Sequence, residues 1–568
     1  MKKKLLVIGL DGATFEIINQ LVKNGMLPTF NRLLKQGVHG VLESTLDTNS
    51  PCAWSTFITG KNPGKHGIFG FFENNPGSYG VRFINGSFRS GKSLWKILSE
   101  HDKKVGIINV PTSYPAEEVN GIFISGPDAP SKNHYGFAYP DGIVGEIEEK
   151  VGEYIIEAGA SALVRQGRFK QAIEKLHECI NAKISIAKYL LKRDEYDFFM
   201  VVFTESDRVQ HHFWKYINKL HPAYSSPERE RFGSAIYDVY KRLDGAICDI
   251  IDTAGNNYSV IIMSDHGAGP SSNKTFFINN WLRDKGYLRF KSNTSIQSLT
   301  ENYFKRLLGR SYIFARSSLS RKWKRRLRNL SPGLKNRANS VLRNLKIDWE
   351  NTKAFSWENA PAVYINLKDK FPSGTVEAGK EYESLIESIK HDLLNLTFPE
   401  NGEHIVKRVI RKEEVYWGPY INKAPDLFIE WKDNQFTVRP GYTSKNGLPI
   451  EVIAGKELSR AETISRPSGI HRREGIFLIY GNEINRGDEI QNIHLYDVTA
   501  TILYYLGIPI PCDFDGKVIT EVFSERFIKE NPVHQSEHTT DNGAYGLNYS
   551  ENESEIIADR LKGLGYID

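Results

Sequence analysis

Cysteine is scarce in this sequence, and the few cysteines that occur are far apart. The 568 residues include four cysteines, and no two of them form a Cys-x-x-Cys pair. A disulfide framework and a cysteine-ligated zinc site both need cysteines at close spacing, so neither is implied. This usage is typical of a protein in a reducing compartment, and we expect a cytoplasmic location.

Long hydrophobic runs are also missing. No stretch approaches the roughly 18 consecutive apolar residues that a membrane-spanning helix needs. The run 5–10 follows three lysines and briefly resembles a signal peptide, but it stops at Asp11 and no small-residue cleavage site follows. We therefore expect neither a transmembrane segment nor a secretory leader.

One segment lacks acidic residues altogether. Residues 302–347 contain fourteen Lys or Arg and no Asp or Glu, although the whole chain carries a net charge of only +6. The rest of the chain is therefore at −8, the difference between +6 and +14. Aromatic residues such as Tyr312 and Trp323 are interleaved with the cations, which favours contact with an anionic membrane, nucleic acid or polyphosphate. The alternative is a helical cap whose cations are only solvated.

The apolar residues that are present form short continuous runs between helical patterns. Continuous rather than alternating hydrophobicity indicates strands buried on both faces, as in a parallel sheet covered by helices. The fold class predicted is therefore α/β, with a mostly parallel central sheet flanked by helices. The predicted strands are 4–9, 105–110, 198–203, 259–263 and 476–480, and the predicted helices include 27–37, 163–193 and 226–252.

A chain of this length is too long for one simple core. Two regions interrupt the alternation of strands and helices, and we expect them to be a helical cap and an α+β cap inserted into the core. The predicted organisation is a catalytic core over 1–290, a basic helical cap over 291–350, core completion over 351–525 with the α+β insertion at about 370–460, and a C-terminal tail over 526–568.

Three of the predicted strands are each followed closely by an aspartate, namely Asp11, Asp207 and Asp265. The carboxyl ends of parallel strands meet at one edge of a sheet, where ligands bind in doubly wound folds. His266 adjoins Asp265, and His211 follows Asp207 by four residues, which places both on one face if a helix begins there. A single such aspartate is most often a helix cap. Together, these residues are the ligand types of a zinc-like ion.

The stretch TLDTNSPCAWSTFITGKNPGKHG, residues 45–67, predicts a short helix with a hydroxyl at its start. Pro51 suits the first helical position, so Ser50 is predicted to be the N-cap and Gly60 to end the helix. A hydroxyl in the field of the helix dipole and beside a metal ion can ionise and attack phosphorus or sulfur. Ser50 is therefore either an ordinary cap or a nucleophile.

Taken together, these motifs resemble the alkaline phosphatase superfamily, and most closely its type I phosphodiesterase/nucleotide pyrophosphatase branch. In that branch the nucleophile lies ten residues before the Gly of a Thr-Gly, which precedes a Pro-x-x-His-Gly turn. Ser50 stands at that distance from Gly60, and residues 63–67 read Pro-Gly-Lys-His-Gly.

The other motifs of the branch are found in the same order. Asp11 is similar to its first aspartate, residues 207–211 to its Asp-x-x-x-His, and residues 264–267 to its Ser-Asp-His-Gly. A last histidine of the branch resembles His471, and residues 496–507 resemble a helix near the end of its core. The resemblance covers roughly 1–70, 195–270 and 465–520.

The resemblance implies an alkaline-phosphatase-like fold and two catalytic divalent ions, zinc or alternatively manganese. Two such ions can hold both the attacking and the leaving oxygen of an in-line displacement. His212 is a rival ligand, but on a helix it points about 100° away from His211. The implied ligands are Asp207, His211 and His471 for one ion, and Asp11, Asp265, His266 and the Ser50 oxygen for the other.

Candidate substrate contacts surround these motifs. The eukaryotic nucleotide pyrophosphatases have Thr where Ser50 stands and a phosphate-contacting Asn three residues later, where this chain has Ala53. Trp54 either stacks on substrate or packs in the core. Four residues are candidates to contact the phosphate instead, although the cations among them are alternatively solvated: Asn49, Lys61, Asn62 and Arg472.

The predicted function is a metal-dependent phosphodiesterase or nucleotide-pyrophosphatase-like hydrolase that acts through a covalent phosphoseryl intermediate. One alternative is a phosphoryl or phosphoglycerol-type transferase of the same superfamily, in which an alcohol replaces water. The other is a non-catalytic protein that binds an anionic membrane or nucleic acid through its basic cap. The expected partner is a phosphate-ester small molecule or a lipid head group, with peripheral membrane contact through 302–347.

Overall fold

A computed structural model gives the architecture of the chain. It describes residues 3–221, 224, 226–291, 347–357, 359–434, 436–440, 447–452, 467–538 and 545–564. The helices within these ranges are α1 Phe15–Lys23, α2 Pro28–Gln36, α3 Ser50–Thr59, α4 Pro63–His66, α5 Leu94–Glu100, α6 Ile143–Lys150, α7 Ala160–Arg165, α8 Phe169–Arg193, α9 Glu205–Phe213, α10 Glu228–Phe232, α11 Ala235–Ala254, α12 Ile278–Asp284, α13 Lys380–Leu394, α14 Lys412–Val415, α15 Leu495–Tyr505, α16 Glu525–Glu530 and α17 Glu551–Leu564.

A nine-stranded sheet forms the centre of the molecule. In spatial order its strands are β20 Glu489–His494, β2 Val38–Glu43, β19 Glu474–Tyr480, β9 Tyr258–Met263, β1 Lys4–Leu10, β8 Phe198–Phe203, β5 Val105–Val110, β6 Gly121–Ser125 and β7 Ala138–Tyr139. The five strands from β9 to β6 in this order are all parallel. β19 is antiparallel to both of its neighbours, β9 and β2.

The five parallel strands are buried because helices cover the sheet on both faces. One face packs on α1, α2, α8 and α11, and the other on α3, α5 and α15. Every residue of β5, β8 and β9 is buried. Strands covered on both sides have no reason to alternate polar and apolar residues. The α/β class with a mostly parallel central sheet is thus confirmed, and all five predicted strands belong to this sheet.

A second, smaller α+β unit lies beside the core. It contains a four-stranded sheet in the order β12 Ala354–Phe355, β13 Ala362–Ile365, β15 Leu427–Trp431 and β14 Val406–Arg411, on which α13 packs. A three-stranded sheet adjoins it, in the order β16 Thr437–Arg439, β11 Lys274–Phe277 and β17 Ile450–Val452. We call this unit the cap.

The hydrophobic core of the cap starts earlier in the chain than the sequence indicates. It draws on residues 276–288 as well as on 347–438, because β11 and α12 leave the core and pack with the cap strands. The domain limits given above remain predictions. Residues 302–346 of the basic segment lie outside the described residues, so membrane contact through 302–347 also stays a prediction. None of the helices described is long and apolar enough to cross a membrane.

The remaining described strands are short and pair locally. They are the hairpin β3 Phe72–Asn74 with β4 Val81–Phe83, the pair β10 Gly267–Pro270 with β18 Gly469–Arg472, and the pair β21 Ile510–Pro511 with β22 Gln535–Ser536. The pair β10–β18 matters most for the site, since its antiparallel register sets Ala268 opposite His471.

A buried ion pair fixes the start of α9 under the sheet. Lys183 of α8 donates a hydrogen bond to Glu205 over 2.8 Å, and both side chains are 1% exposed. Burial lowers the pKa of Lys183, but the facing carboxylate of Glu205 outweighs that effect and raises it. The lysine is therefore charged, and it neutralises a carboxylate that would otherwise be stranded in the interior.

Replacing this lysine should destabilise the fold strongly. Lys183→Met is expected to lower the free energy of unfolding by about 3–5 kcal/mol, because it leaves Glu205 buried without a cation. Lys175→Met is the matched control, since Lys175 lies on the same helix but pairs with Glu178 at the surface, and it should cost little. Urea unfolding followed by circular dichroism measures both. Equal losses in the two variants would contradict a stabilising role of the buried pair.

Candidate active site

Three neighbouring parallel strands deliver the three predicted aspartates to one place. β1 lies between β8 and β9, and its last residues pair with the last residues of both neighbours. Asp11, Asp207 and Asp265 follow these strands, and all three are buried. The chain therefore brings the carboxylates together because the carboxyl ends of adjacent parallel strands are level.

Asp207 forms one compact group with two histidines. Oδ1 of Asp207 lies 3.2 Å from Nε2 of His211 and 3.3 Å from Nε2 of His471. The two Nε2 atoms are 3.1 Å apart. His211 comes from the next turn of α9, and His471 comes from β18. His212 points elsewhere, as its helical position predicts, and its Nε2 bonds to Ser161 Oγ.

The second group contains the candidate nucleophile. Nε2 of His266 lies 3.6 Å from Oδ1 of Asp11, 3.4 Å from Oδ2 of Asp265 and 3.3 Å from Oγ of Ser50. The ring of His266 stacks on that of His471 at a centroid distance of 3.6 Å. The two groups are therefore in contact, and all seven predicted ligand residues surround one small volume. Their role as ligands remains a prediction.

Backbone carbonyls fix the tautomer of all three imidazoles. Nδ1 of His211, His266 and His471 faces the carbonyl oxygens of Gly469, Gly267 and Thr48 at 3.1, 2.9 and 2.6 Å. A carbonyl oxygen only accepts hydrogen bonds, so each Nδ1 carries a proton, and Nε2 is the atom that offers a lone pair when the ring is neutral. Burial lowers the pKa of His471 to about 3, which keeps that ring neutral. Neutral imidazoles with a fixed Nε2 are the form that binds metal ions.

The carboxylates are crowded, although Arg208 donates to Oδ2 of Asp207 over 3.1 Å. Burial, together with Asp265 and Asp207, raises the pKa of Asp11 well above its usual range. Burial and the charge of Asp207 raise the pKa of Asp265 to about 8. Burial also acts to raise the pKa of Asp207, but His211 and His471 outweigh it and hold that pKa low.

One buried oxygen of each carboxylate accepts no hydrogen bond from the described residues: Oδ1 of Asp11, Oδ1 of Asp207 and Oδ2 of Asp265. Unsatisfied buried carboxylate oxygens are costly unless a cation lies between them. Three such oxygens facing three imidazole lone pairs form a donor set of the kind that zinc binds. The residues present therefore fit a divalent ion. Two sets of three residues each hold their ligand atoms within 4.8 Å of one another. One set is Asp207, His211 and His471, and the other is Asp11, Asp207 and His266.

Ser50 stands one position further into α3 than the sequence indicates. The N-cap is Asn49, whose Oδ1 accepts from Cys52 N over 3.0 Å, so the prediction of Ser50 as the cap is wrong. Asn, Ser and Pro are all acceptable near a helix start, and spacing alone did not separate the two registers. Ser50 is buried. Because Asn49 caps the helix, the Oγ of Ser50 is not used as a cap and lies beside His266 instead.

The structure separates the four predicted substrate contacts into two pairs. Asn49 and Arg472 line a cavity beside the histidines, whereas Lys61 and Asn62 are not part of its wall. Lys61 instead pairs with Asp513 over 2.5 Å, and Asn62 donates to Asp515 over 3.0 Å. These partners follow α15, more than 400 residues away in the chain, so no local pattern indicates them.

The cavity lies between the core and the cap and has a volume of about 320 Å³. His211 and His471 lie at its core side, and Phe428, Trp431 and Phe436 line it from the cap. Arg472 also borders the cavity; its guanidinium donates to Pro270 O over 2.9 Å and forms no ion pair with a described residue. Burial lowers the pKa of Arg472, so an incoming anion would relieve part of its desolvation.

Trp54 takes the second of its two predicted roles, and two further residues beside the site carry no sequence signal. Trp54 is fully buried, and its Nε1 donates to Oδ2 of Asp11 over 3.4 Å, so it packs and orients a carboxylate instead of stacking on substrate. Asp47 and Leu564 line the cavity although they belong to no motif. Burial raises the pKa of Asp47 to about 6. Only the folded chain shows that the end of α17 reaches this wall.

Residues 5–449 match the family model for type I phosphodiesterase/nucleotide pyrophosphatase. The phosphonoacetate hydrolase of Sinorhizobium meliloti 1021, solved with phosphonoformate, is 13% identical with a TM-score of 0.50, and the match covers 89% of this chain and 95% of that one. Murine ectonucleotide pyrophosphatase/phosphodiesterase 5 is also 13% identical, with a TM-score of 0.48 and coverage of 92% and 100%. No curated protein gives a significant match. At 13% identity, the likeness to the phosphonoacetate hydrolase shows a similar fold and nothing more.

A single methyl group at Gly12 should disturb the ion-binding arrangement. A Cβ at this position would lie 3.1 Å from Oδ1 of Asp207 and 3.3 Å from Cε1 of His266, and the residue has a φ of +67°. Because these side chains must move to admit the Cβ, Gly12→Ala is expected to lower the Zn²⁺ or Mn²⁺ content, measured by elemental analysis after dialysis.

The control is Gly25→Ala. Gly25 has a similar φ of +70° but nothing within 4 Å of the added atom, so this variant carries the same backbone strain of about 1 kcal/mol without the clash. It should keep its ions. Loss of ions in both variants, or retention in both, would contradict the crowding argument.

Proposed function

Because the chain belongs to the type I phosphodiesterase/nucleotide pyrophosphatase family, we propose that it is a metal-dependent phosphodiesterase or pyrophosphatase with Ser50 as its nucleophile. The family membership agrees with the resemblance that the motifs indicated, and it makes the protein a phosphoester hydrolase of this superfamily. The finer assignment rests on one observation. Ser50 Oγ lies 3.3 Å from His266, which is grouped with four further candidate ligands and lies 3.4 Å from a fifth, Asp265.

Two divalent ions, zinc or alternatively manganese, are assigned to this volume. Asp207, His211 and His471 would hold one ion, and the other would be held by Asp11, Asp265, His266 and the oxygen of Ser50. Bound there, the ions supply positive charge against the phosphoryl oxygens and favour the ionised form of the serine hydroxyl. The unsatisfied oxygens of the three aspartates support this assignment.

The position of Ser50 suits an attack on phosphorus. Its Oγ forms a bond to phosphorus as the bond to the leaving oxygen breaks, and water later cleaves the phosphoserine. The positive end of the α3 dipole favours the negative charge that gathers there. Cys52 N and Ala53 N already bond to Asn49. The helix therefore acts through its field, and those two amides do not donate to the substrate.

The cavity is assigned to the substituent that stays on phosphorus while the other one departs. Arg472 would pair with a phosphate oxygen or a second acidic group. The aromatic residues from the cap offer an apolar surface to the retained substituent. A phosphodiester has two substituents and needs this second compartment, whereas a phosphate monoester needs only one.

Removal of the nucleophile should stop turnover without removing the ions. Ser50→Ala is expected to reduce kcat to the background rate while zinc or manganese content, measured by elemental analysis, is nearly unchanged, because six other ligand residues remain. Ser55→Ala is the matched control: Ser55 is buried on the same helix, its position is about 140° around the helix axis from Ser50, and its Oγ bonds to no residue that the structure describes. It should keep wild-type activity. Full activity of Ser50→Ala would remove Ser50 from the mechanism.

A comparison of two synthetic substrates tests the reaction class. We expect bis-p-nitrophenyl phosphate to be hydrolysed at least about tenfold faster than p-nitrophenyl phosphate at equal low concentration, since the second aryl group fills the cavity and a tenfold preference needs only about 1.4 kcal/mol. Release of p-nitrophenol gives both rates. Repeating the assay after treatment with a chelator shows whether the hydrolysis depends on bound ions. A preference for the monoester would contradict the proposal.

A further inference from the structure

The loop after β1 is held through each of its first three carbonyl groups. Ser206 Oγ donates to Asp11 O over 2.7 Å, Gln210 Nε2 to Gly12 O over 2.8 Å, and Ser264 Oγ to Ala13 O over 3.1 Å. The donors belong to the segments that follow β8 and β9. The loop carrying one candidate ligand is therefore tied to the segments carrying the others.

Gln210 occupies the central position in this arrangement. It is 1% exposed and lies on α9 between Asp207 and His211. While its Nε2 donates to Gly12 O, its Oε1 accepts from Tyr240 OH over 3.2 Å. The same hydroxyl accepts from Thr14 N over 3.3 Å. One amide side chain thus connects α9, the loop after β1 and α11.

We propose that Gln210 is a positioning residue that sets the spacing between the two groups of candidate ion ligands. The inference rests on the proposed function, since it concerns the ions assigned there. Gln210 touches neither the ligand oxygens nor the cavity. It acts by fixing the distance between the loop of Asp11 and the helix of Asp207.

The tolerance for movement at this point is small. A Cβ on Gly12 would meet Asp207 Oδ1 at 3.1 Å, so the loop and the carboxylate are already in close contact. Asp11, Asp207 and His266 place their ligand atoms within 4.8 Å of one another. A shift of a few tenths of an ångström in the loop therefore changes the ligand geometry directly. Side chains that orient metal ligands from behind typically affect ion affinity by about 10–100-fold.

Only an amide satisfies both neighbours of this position. Gly12 O needs a donor, and Tyr240 OH needs an acceptor once it has accepted from Thr14. Glutamate would set a carboxylate oxygen against the carbonyl of Gly12, and leucine would leave both polar groups unpaired. Glutamine is thus the side chain that the two contacts require.

The test measures ion affinity directly on the full-length protein. The metal-free protein is titrated with Zn²⁺, and affinity and stoichiometry are determined by calorimetry and elemental analysis. Gln210→Leu is expected to weaken Zn²⁺ binding by about 10–100-fold. Its kcat on bis-p-nitrophenyl phosphate should fall at limiting Zn²⁺ and recover when Zn²⁺ is raised, with KM little changed. Circular dichroism of the metal-free variant must show the wild-type fold, because bound Zn²⁺ would also stabilise a variant whose only defect is in folding.

A second pair of variants keeps the inference testable if Gln210→Leu does not fold. Tyr240→Phe removes the hydroxyl that orients Gln210 and should weaken Zn²⁺ binding in the same direction, but less. Tyr237→Phe is its control on the same helix, because the Tyr237 hydroxyl bonds to Gln20 at the surface. It should bind Zn²⁺ as the wild type does.

The outcomes separate the two proposals. If Gln210→Leu and Tyr240→Phe bind Zn²⁺ as tightly as the wild type, the inference about Gln210 is wrong and the proposed function is untouched. If Tyr237→Phe loses as much affinity as Tyr240→Phe, the effect is a general one of α11 and the inference is also wrong. If the wild type binds neither Zn²⁺ nor Mn²⁺, the proposed function fails, and the inference fails with it.

Discussion

Mutual repulsion between buried carboxylates governs the architecture around the site. Asp11, Asp207 and Asp265 follow adjacent parallel strands, and each keeps one buried oxygen that accepts no hydrogen bond from the described residues. A protein without a bound cation meets this repulsion by protonation, as the pKa of about 8 at Asp265 indicates. Burying three carboxyl groups together lowers the stability of the fold, so we expect that the arrangement serves a function.

The surrounding polar contacts oppose this repulsion by holding the backbone in place. The carbonyls of residues 11–13 are each occupied by a donor from a neighbouring ligand-bearing segment. The buried pair of Lys183 and Glu205 secures the first turn of α9 from below. Each imidazole is fixed through Nδ1 by a backbone carbonyl. The acidic cluster is therefore held by hydrogen bonds to the backbone and by ion pairs behind it, of Lys183 with Glu205 and of Arg208 with Asp207. These contacts leave one oxygen of each aspartate without a hydrogen bond from the described residues.

Much of the fold, and the gathering of the seven candidate ligand residues in one place, was predictable because both depend on short local patterns. Continuous apolar runs mark strands buried on both faces, and an aspartate after such a run must lie at the strand end. The choice of Asn49 over Ser50 as the N-cap of α3 was not predictable, since both residue types are favoured at that position. Other features could not be predicted from motif spacing, because they join segments that lie far apart in the chain. Lys61 pairs with Asp513, Gln210 bonds to Gly12, and Leu564 reaches the wall of the cavity. The ligand roles themselves remain predictions.

The strand that carries His471 has a consequence for how the molecule is made. It pairs with β10 across roughly 200 residues of intervening chain, and the described part of that chain belongs mainly to the cap. During synthesis all three aspartates, together with His211 and His266, leave the ribosome before this strand does. The group of Asp207, His211 and His471 is therefore completed only by a late segment of the chain. An ion bound by that group would join the late segment to the early one.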